Sequence, residues 1–403
     1  MSRPSAAAAA TPPLDDVFLL EEILRRLPPQ PSSLPRASLV CTRWRRLLSD
    51  PGFLRRFRKH HHRRNEPLPL LGFFDKEFRT DDPPIFNPTT TGQRDCIPPA
   101  RFSSPWSHGE GWVFLGCRHG LALLVSRTRR EALVWDPLTG HQRRVAFPPG
   151  FSKEQGRFVH NAAVMCAAAE DHEHVHGDCR FTPFRLALVG GDSDGTHKFA
   201  CLYHSESGIW GDIVSVETMH TLCTASPSVL VRDAFCWVLS GGGILEFDFQ
   251  RQSLAVTEKP ADAHDADYYW STLVVRTGHG GLGLAILSKS EYVSQSIQLW
   301  ERKSDRYGVL AWELQRTITL DGLFSQGPTL GQCAVMMQGY DEDTNAVFLS
   351  TFFGDYMIQL ESTEFINLFE TRRGCLSSRT YYPYRNFYIT GNRVGGGDGG
   401  AEM

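Results

Sequence analysis

The feature that most constrains this chain is a unit that recurs about every fifty residues. A short β-prone run ends in an aromatic or large apolar residue, a polar turn follows, and a return strand begins. Phe86-Asn87-Pro88-Thr89-Thr90-Thr91-Gly92 and Trp135-Asp136-Pro137-Leu138-Thr139-Gly140 are the clearest copies. Looser copies start at Tyr203, Phe247, Trp300 and Leu360. Successive anchors are 44 to 68 residues apart, and kelch-type propeller blades repeat at about 50 residues. Six anchors predict six blades.

The texture between the anchors agrees. From residue 70 onward, short apolar runs alternate with Gly, Pro, Asp and Asn turns: Val113–Leu115, Leu121–Val125, Ala132–Trp135, Phe199–His204, Phe235–Leu239, Ile244–Phe249, Leu273–Arg276, Leu284–Ser288, Ile297–Trp300, Ala346–Thr351 and Met357–Leu360. No stretch of comparable strength there has helical period, so residues 70–390 are expected to be all-β. The first unit, 68–100, is short of strands. Runs at Ser377–Tyr382 and Asn386–Thr390 are expected to supply the missing ones, closing a six-bladed, kelch-like β-propeller with its two ends and leaving no long open edge. The longest step between anchors contains Glu170–Arg180, read as a loop insertion. The tryptophans at 135, 210, 237 and 300 fall at blade-like positions and are expected to pack in the core.

The first 62 residues follow a different rule. Val17, Leu20, Leu24 and Leu27 are spaced 3, 4 and 3 apart and share one helical face, widened by Leu19 and Ile23. Asp15 and Asp16 stand where a helix start takes a cap, and Pro28-Pro29 ends the helix. A second helix is expected from Ser32 or Ser33, with Pro35 in its first turn. A third runs through Trp44 and Leu48 and stops before Asp50-Pro51-Gly52, and the basic segment from Arg55 to Arg64 is read as its extension. Three helices this short bury little alone and call for a partner or a neighbouring domain.

These helices resemble the F-box, the element that attaches a protein to the Skp-type adaptor of a cullin-RING ubiquitin ligase. The resemblance is carried by Leu19-Leu20-x-Glu22-Ile23-Leu24-x-x-Leu27-Pro28, by Leu34-x-x-x-x-Leu39-Val40-Cys41-x-x-Trp44-x-x-Leu47, and by Ser49-Asp50-Pro51-x-Phe53. It implies that Leu14, Leu19, Leu20, Ile23, Leu27, Pro28, Leu34, Val40 and Trp44 form the adaptor contact or its supporting core. The later region resembles the F-box-associated β-domains of plant F-box proteins, notably those of grasses, at Leu115–Leu124, Val134–Gly140 and Gly281–Ala285. The organisation expected is a disordered tail over 1–12, an F-box of three helices over 13–62, a stiff linker over 63–69, the β-domain over 70–390 and a disordered Gly-rich tail over 391–403.

Charge divides the same way. Residues 1–65 hold 13 Lys+Arg against 5 Asp+Glu, and the remainder 29 against 40. A basic head on an acidic body points to two separate surfaces. The basic cluster lacks the interleaved aromatics of single-strand nucleic-acid binders, so a solvated helix face or attraction to an acidic partner is expected and nucleic acid is not. Ten cysteines at scattered spacings, never as Cys-x-x-Cys, fit reduced thiols of the cytoplasm or nucleus. No apolar run reaches membrane-spanning length. The alanine-rich start reads as a disordered tail rather than a transit peptide.

Chemistry is sparsely signalled. A phosphate-cradling Gly-x-x-x-x-Gly-Lys is absent. The letters of Gly-x-Ser-x-Gly occur at Gly191-Asp192-Ser193-Asp194-Gly195 and those of His-Glu-x-x-His at His172-Glu173-His174-Val175-His176, but no helical period accompanies either, so the strand-to-helix turn and the helix that these chemistries need are missing. Gly280-Gly281-Leu282-Gly283 leads into a strand and not a helix, which fails the dinucleotide-binding context. Cys41 is expected to be buried packing. Asp171-His172-Glu173-His174-Val175-His176-Gly177-Asp178-Cys179 holds metal-ligand residue types, but alternate residues of a loop do not fix a tetrahedron, so a solvated loop is expected and no metal is assigned. His60-His61-His62 receives no native role. The expectation is a non-enzymatic, cofactor-free adaptor that holds a Skp-type adaptor, and through it a cullin, at one end and a target protein at the other. Target contacts are expected on propeller loops, first at 169–181. A non-ligase interaction scaffold and a carbohydrate-binding or catalytic propeller are the alternatives.

Overall fold

A computed structural model describes residues 16–30, 32–62, 68–77, 82–89, 102–103, 106, 109–170, 174, 176, 179, 182–224, 226–263, 271–288, 295–304, 306–320, 335–351, 354–370 and 379–387. Leu14 and Asp15, both tails and most of the expected linker lie outside these residues.

Four helices come first: α1 (Val17–Arg25), α2 (Ser33–Ser38), α3 (Thr42–Ser49) and α4 (Pro51–His62). The expected three become four because the basic segment is not an extension of α3. Asp50 leaves the helix at φ −70°, ψ 123°, and its carboxylate accepts the Phe53 N–H at 2.7 Å, starting a new helix with Pro51 in its first turn. That new helix is not wholly solvated: Phe53, Phe57, Arg58 and His61 are buried along it.

Six antiparallel sheets follow. The first begins with β1 (Leu70–Glu77) and β2 (Ile85–Pro88). The second is β3 (Val113–Arg118), β4 (Leu121–Ser126), β5 (Glu131–Trp135) and β6 (Gln142–Ala146). The third is β7 (Arg157–Cys166), β8 (Phe184–Asp192), β9 (His197–His204), β10 (Ile209–Trp210) and β11 (Val214–Glu217). The fourth is β12 (Val229–Val231), β13 (Ala234–Val238), β14 (Ile244–Asp248) and β15 (Ser253–Thr257). The fifth is β16 (Thr272–Arg276), β17 (Leu282–Leu287), β18 (Ser296–Ser304) and β19 (Leu310–Thr319). The sixth is β20 (Met336–Asp341), β21 (Ala346–Ser350), β22 (Gly354–Gln359) and β23 (Phe365–Glu370). The last strand, β24 (Arg379–Arg385), returns to pair antiparallel with β1, giving the first sheet the order β2-β1-β24. This is a six-bladed propeller closed by its two ends. The anchors fall where the repeat put them: Phe86, Trp135, Tyr203, Phe247 and Trp300 lie in the third strand outward of their blades, and Leu360 directly follows one.

A blade packed between two others buries both faces, so its inner strands read as continuous apolar runs instead of alternating ones. On β4, Leu121, Leu123 and Val125 enter the core shared with the third blade. Ala122 and Leu124 enter the core shared with the first. Such cores run round the ring between blades one and two, two and three, three and four, and across four, five and six. The seam between six and one is the smallest among the described residues: Phe73, Phe348 and Tyr381, flanked by Met357 and Leu368.

Polar contacts reinforce that seam. Arg385 on β24 binds Asp341 of the sixth blade through Nε, 3.0 and 3.1 Å from the two carboxylate oxygens, with both side chains buried. Tyr381 donates its hydroxyl to Asp355 of the sixth blade at 2.9 Å; within the first blade, Arg379 of β24 pairs with the buried Asp75 of β1. The strands approach closely here. A Cβ on Gly339 would lie 2.2 Å from the Tyr381 carbonyl oxygen, so no larger residue fits without moving backbone.

At the ring axis one carboxylate gathers the inner strands. Glu342, in the turn after β20, accepts from Arg118 Nε at 3.1 Å, Arg276 at 2.9 Å and the Leu230 N–H at 3.0 Å. Arg118 also donates to the carbonyls of Val164 (3.0 Å) and Ser228 (2.9 Å), and Arg276 to that of Leu230 (2.6 Å). Blades two to six are thereby joined through two guanidinium groups and one carboxylate.

Two outcomes follow. Asp341→Ala removes the nearer counter-charge of Arg385 and leaves it Asp343 at 3.8 Å, so the cost is expected below about 3–5 kcal/mol, that of a buried charge left wholly unpaired; the urea midpoint is expected to fall accordingly with the slope unchanged. Burial pushes the Glu342 carboxyl up, but Arg118 and Arg276 outweigh it and hold the group below its usual range. Its contribution is therefore complete above the unfolded carboxylate pKa of about 4.3 and lost as pH falls through the lower folded value. The stability gap between wild type and Glu342→Gln, read from urea midpoints, is expected to be constant near neutrality and to narrow in acid.

Candidate functional site

The four helices divide their apolar residues between a core and an exposed surface. Asp16 caps α1, accepting from Phe18 N at 2.8 Å and Leu19 N at 3.3 Å. This fixes the rotation of the helix. Leu20 and Leu24 turn inward to meet Leu34, Ala37, Leu48, Phe53 and Phe57, with Leu27, Trp44 and Leu47 packed at the margin. Phe18 is left 85% exposed, and Val17, Leu19 and Ile23 are also exposed. Leu39 (74%) and Val40 (61%), between α2 and α3, are exposed as well. Globular surfaces carry scattered apolar residues, but six in so small a unit mark an interaction surface.

The residues expected at the adaptor contact therefore separate. Leu19, Ile23, Pro28 and Val40 are exposed; Leu20 and Leu34 are core; Leu27 and Trp44 lie between. Leu14 lies outside the described residues. Phe18 and Leu39 add to the exposed set. Spacing could have found Phe18, since it sits off the Leu20–Leu24 stripe; Val17, by contrast, shares the spacing of that stripe and is still exposed. Cys41, expected to be buried, is exposed, and its sulfur caps α3 by accepting from Trp44 N at 3.5 Å.

The helical unit is fastened to the ring. Phe57 meets Phe387, just past the closing strand, edge to face with centroids 5.7 Å apart. Leu68 accepts from Arg385 at 2.6 Å, and Pro69 accepts from the Asn386 N–H at 3.1 Å. The described end of the expected linker is thus held by the strand that closes the propeller.

A second site lies at the ring axis. Arg118, His119, Tyr340, Asp341, Glu342 and Arg385 line a cavity of about 60 Å³. That is room for a few waters, well short of the roughly 300 Å³ at which small-molecule sites begin. Its Asp341 and Glu342 carboxylates are engaged by arginines, so they are placed to hold blades together. The four tryptophans at blade-like positions pack as expected: Trp135, Trp237 and Trp300 are buried, and Trp210 lies against the core between blades two and three.

The histidine loop departs from expectation. Cys179 is buried, and His174 and His176 are partly buried, not solvated. The run alone could not fix them; Cys166, at the end of β7 and outside the run, gives them a rigid base. Ligand atoms of Cys166, His174, His176 and Cys179 all lie within 4.8 Å of one another.

Residues 13–56 match the F-box domain family. No curated protein matches the chain. Among solved structures, the chain is similar to the Dos1 propeller at 10% identity and TM-score 0.34, covering 65% of this chain and 58% of that one. It is similar to the PQQ-bound aldose sugar dehydrogenase of Streptomyces coelicolor at 12% identity and TM-score 0.33, covering 75% and 87%. The Cps50 (Swd1) propeller domain of Myceliophteria thermophila gives 10% and 0.31, covering 63% and 71%. The chain thus carries an F-box domain at its N-terminus, followed by a six-bladed β-propeller.

Proposed function

We propose that this chain is the target-recognition subunit of a Skp-cullin-F-box ubiquitin ligase, of the kind found in plants and notably grasses, with a kelch-like propeller as its target-binding end. The observation that carries the reading is the exposed apolar set on a matched F-box: Phe18, Leu19, Ile23, Leu39 and Val40 face solvent while Leu20 and Leu24 are sealed in the core. F-box domains bind Skp-type adaptors, and a partner of that kind would cover this surface. A cullin would follow through the adaptor.

The chain performs no chemistry in this reading. It raises the concentration of target lysines near a loaded conjugating enzyme, an effect of geometry and effective molarity. The Phe57–Phe387 contact and the Arg385–Leu68 bond support a fixed spacing between the two ends. Target contacts belong on the loops between strands, where a rigid ring presents variable sequence. Cytoplasm or nucleus is the compartment in which such a ligase works.

The test is co-expression with a Skp-type adaptor and a cullin, followed by pull-down. Leu19→Asp combined with Val40→Asp changes only exposed positions. It is expected to cut adaptor capture at least about tenfold, as loss of a central apolar anchor does, with an unchanged thermal melt. Leu24→Ala is expected to lower the melt instead. Undiminished capture by the Leu19→Asp/Val40→Asp chain, or no capture by wild type, would overturn the reading.

A further inference from the structure

The cluster at Cys166, His174, His176 and Cys179 is not used by the ligase reading and stands independently of it. Its spacing is Cys-x7-His-x-His-x2-Cys. Cys166 ends β7, an inner strand held on one side by β8 and packed beside β3 of the second blade. The other three residues come from the segment that crosses from β7 to β8.

The separations are those of a coordination tetrahedron. Zinc with Zn–S of about 2.3 Å and Zn–N of about 2.1 Å sets sulfur and nitrogen ligands about 3.6 Å apart. Here Cys166 Sγ lies 3.4 Å from His174 Nε2, His176 Nδ1 lies 3.4 Å from Cys179 Sγ, and Cys179 Sγ lies 3.5 Å from His174 Nε2. Three independent sulfur–nitrogen edges agree with one geometry. Two sulfurs and two ring nitrogens turned toward one point, beside an apolar core that includes both cysteines, make a poor set of hydrogen-bond partners for one another. They make a good set of metal ligands.

The surroundings orient the ligands. His119 lies flat against His176, with centroids 3.7 Å apart and planes 6° from parallel. The Cys166 N–H donates to His119 Nδ1 at 3.2 Å, fixing the His119 ring at its edge. Rings and backbone that hold ligands in place are the ordinary support of a metal site.

We propose that these four residues bind a structural zinc ion. Mixed thiolate and imidazole ligands in a tetrahedron select zinc over magnesium or calcium, which take oxygen. Two thiolates neutralise the dication, so the loaded site carries no net charge into the apolar core. Four protein ligands close the coordination sphere, which is the pattern of a structural and not a catalytic ion. The zinc pins the β7–β8 crossover onto the third blade. Through His119 it also fixes one wall of the axial cavity, which His119 lines. The crossover is rich in Asp, Glu and His and has little apolar material of its own, so ligand bonds supply the order that packing cannot.

The test uses the full chain purified under reducing conditions, stripped with a chelator, reloaded with zinc alone and desalted. Metal content is expected at about one zinc per chain, as for a closed four-ligand site. Cys166→Ser/Cys179→Ser and His174→Ala/His176→Ala chains are expected to retain less than about a tenth of that. Cobalt loaded in place of zinc is expected to give the intense visible bands of a tetrahedral ion with thiolate charge transfer. That spectrum decides the matter on wild type alone if the variants fail to fold. The proposal is overturned if reloaded wild type holds no zinc, or if the Cys166→Ser/Cys179→Ser chain keeps it, which would place the metal on a run such as His60–His62. It is also overturned if alkylation mapping recovers Cys166 and Cys179 as a disulfide. Adaptor capture is indifferent to all three results.

Discussion

Glu342 is the point on which the ring depends. Its carboxylate accepts from Arg118, Arg276 and the Leu230 backbone, and the same two arginines reach the carbonyls of Val164, Ser228 and Leu230. The apolar seams supply most of the stabilisation, because they bury the most surface. Apolar burial is itself non-directional, so the seams say less about exact registry than a hydrogen-bonded charge does. A charged group whose donors come from separate blades accepts only the arrangement in which all of them arrive. Buried ion pairs often add little net stability against an apolar alternative, and fixing registry is their best-supported role. The axial cluster sits where that role has most leverage, at the centre, where a small rotation of any blade opens several hydrogen bonds.

The seam between blades six and one needs this help most. It carries the smallest apolar core among the described residues, three buried side chains, and it is the one place where closure depends on a strand from the far end of the chain. Here Arg385 and Tyr381 each bind an aspartate of the sixth blade, while Arg379 ties the closing strand to Asp75 of β1. The same strand receives the helical domain through Phe387 and Leu68. Ring closure and the seating of the F-box are therefore one mechanical unit: loosening β24 would free both ends together.

Much of this was legible in the sequence, and the reasons differ by element. The blades announced themselves because a strand buried on both faces, such as Leu121–Val125, is apolar throughout and ends in a turn of fixed chemistry. Gly140, at φ 78°, and the Asp136 carboxylate accepting from Leu138 at 2.9 Å are the physical content of the Trp-Asp-Pro-Leu-Thr-Gly motif. β7 and β8 were silent because polar or glycine pairs interrupt them, His160-Asn161 in β7 and Gly190-Gly191 in β8, where a Cβ on Gly190 would lie 1.9 Å from the Phe158 carbonyl oxygen. β19 was silent because nearly all of its side chains are exposed and polar or charged residues fill half of it. In the F-box, spacing separates one side of a helix from another but does not say which side another helix will cover. Leu19 and Leu20 are adjacent and equally apolar, and only the cap at Asp16 and the positions of α3 and α4 send one outward and the other in. Arg58 shows the reverse error, since a basic run reads as solvated whatever its packing.

The cysteine and histidine cluster shows why a ligand set is harder to read than a fold. The loop run held three of four donors and failed the geometric argument, correctly, because no loop fixes its own tetrahedron. The missing element was a rigid donor at the right depth, and Cys166 supplies it from a strand whose sequence, Ala162-Ala163-Val164-Met165-Cys166, looks like plain core. Three kinds of restraint thus divide the ring by what the local sequence can offer. Apolar seams hold where blades are rich in leucine and valine. Ion pairs hold where the closing strand brings few apolar residues. Soft donors gather where a polar crossover must lie against a core without one of its own. Each stands where the preceding kind is too weak to act, which follows from a ring that must close on itself with a single chain.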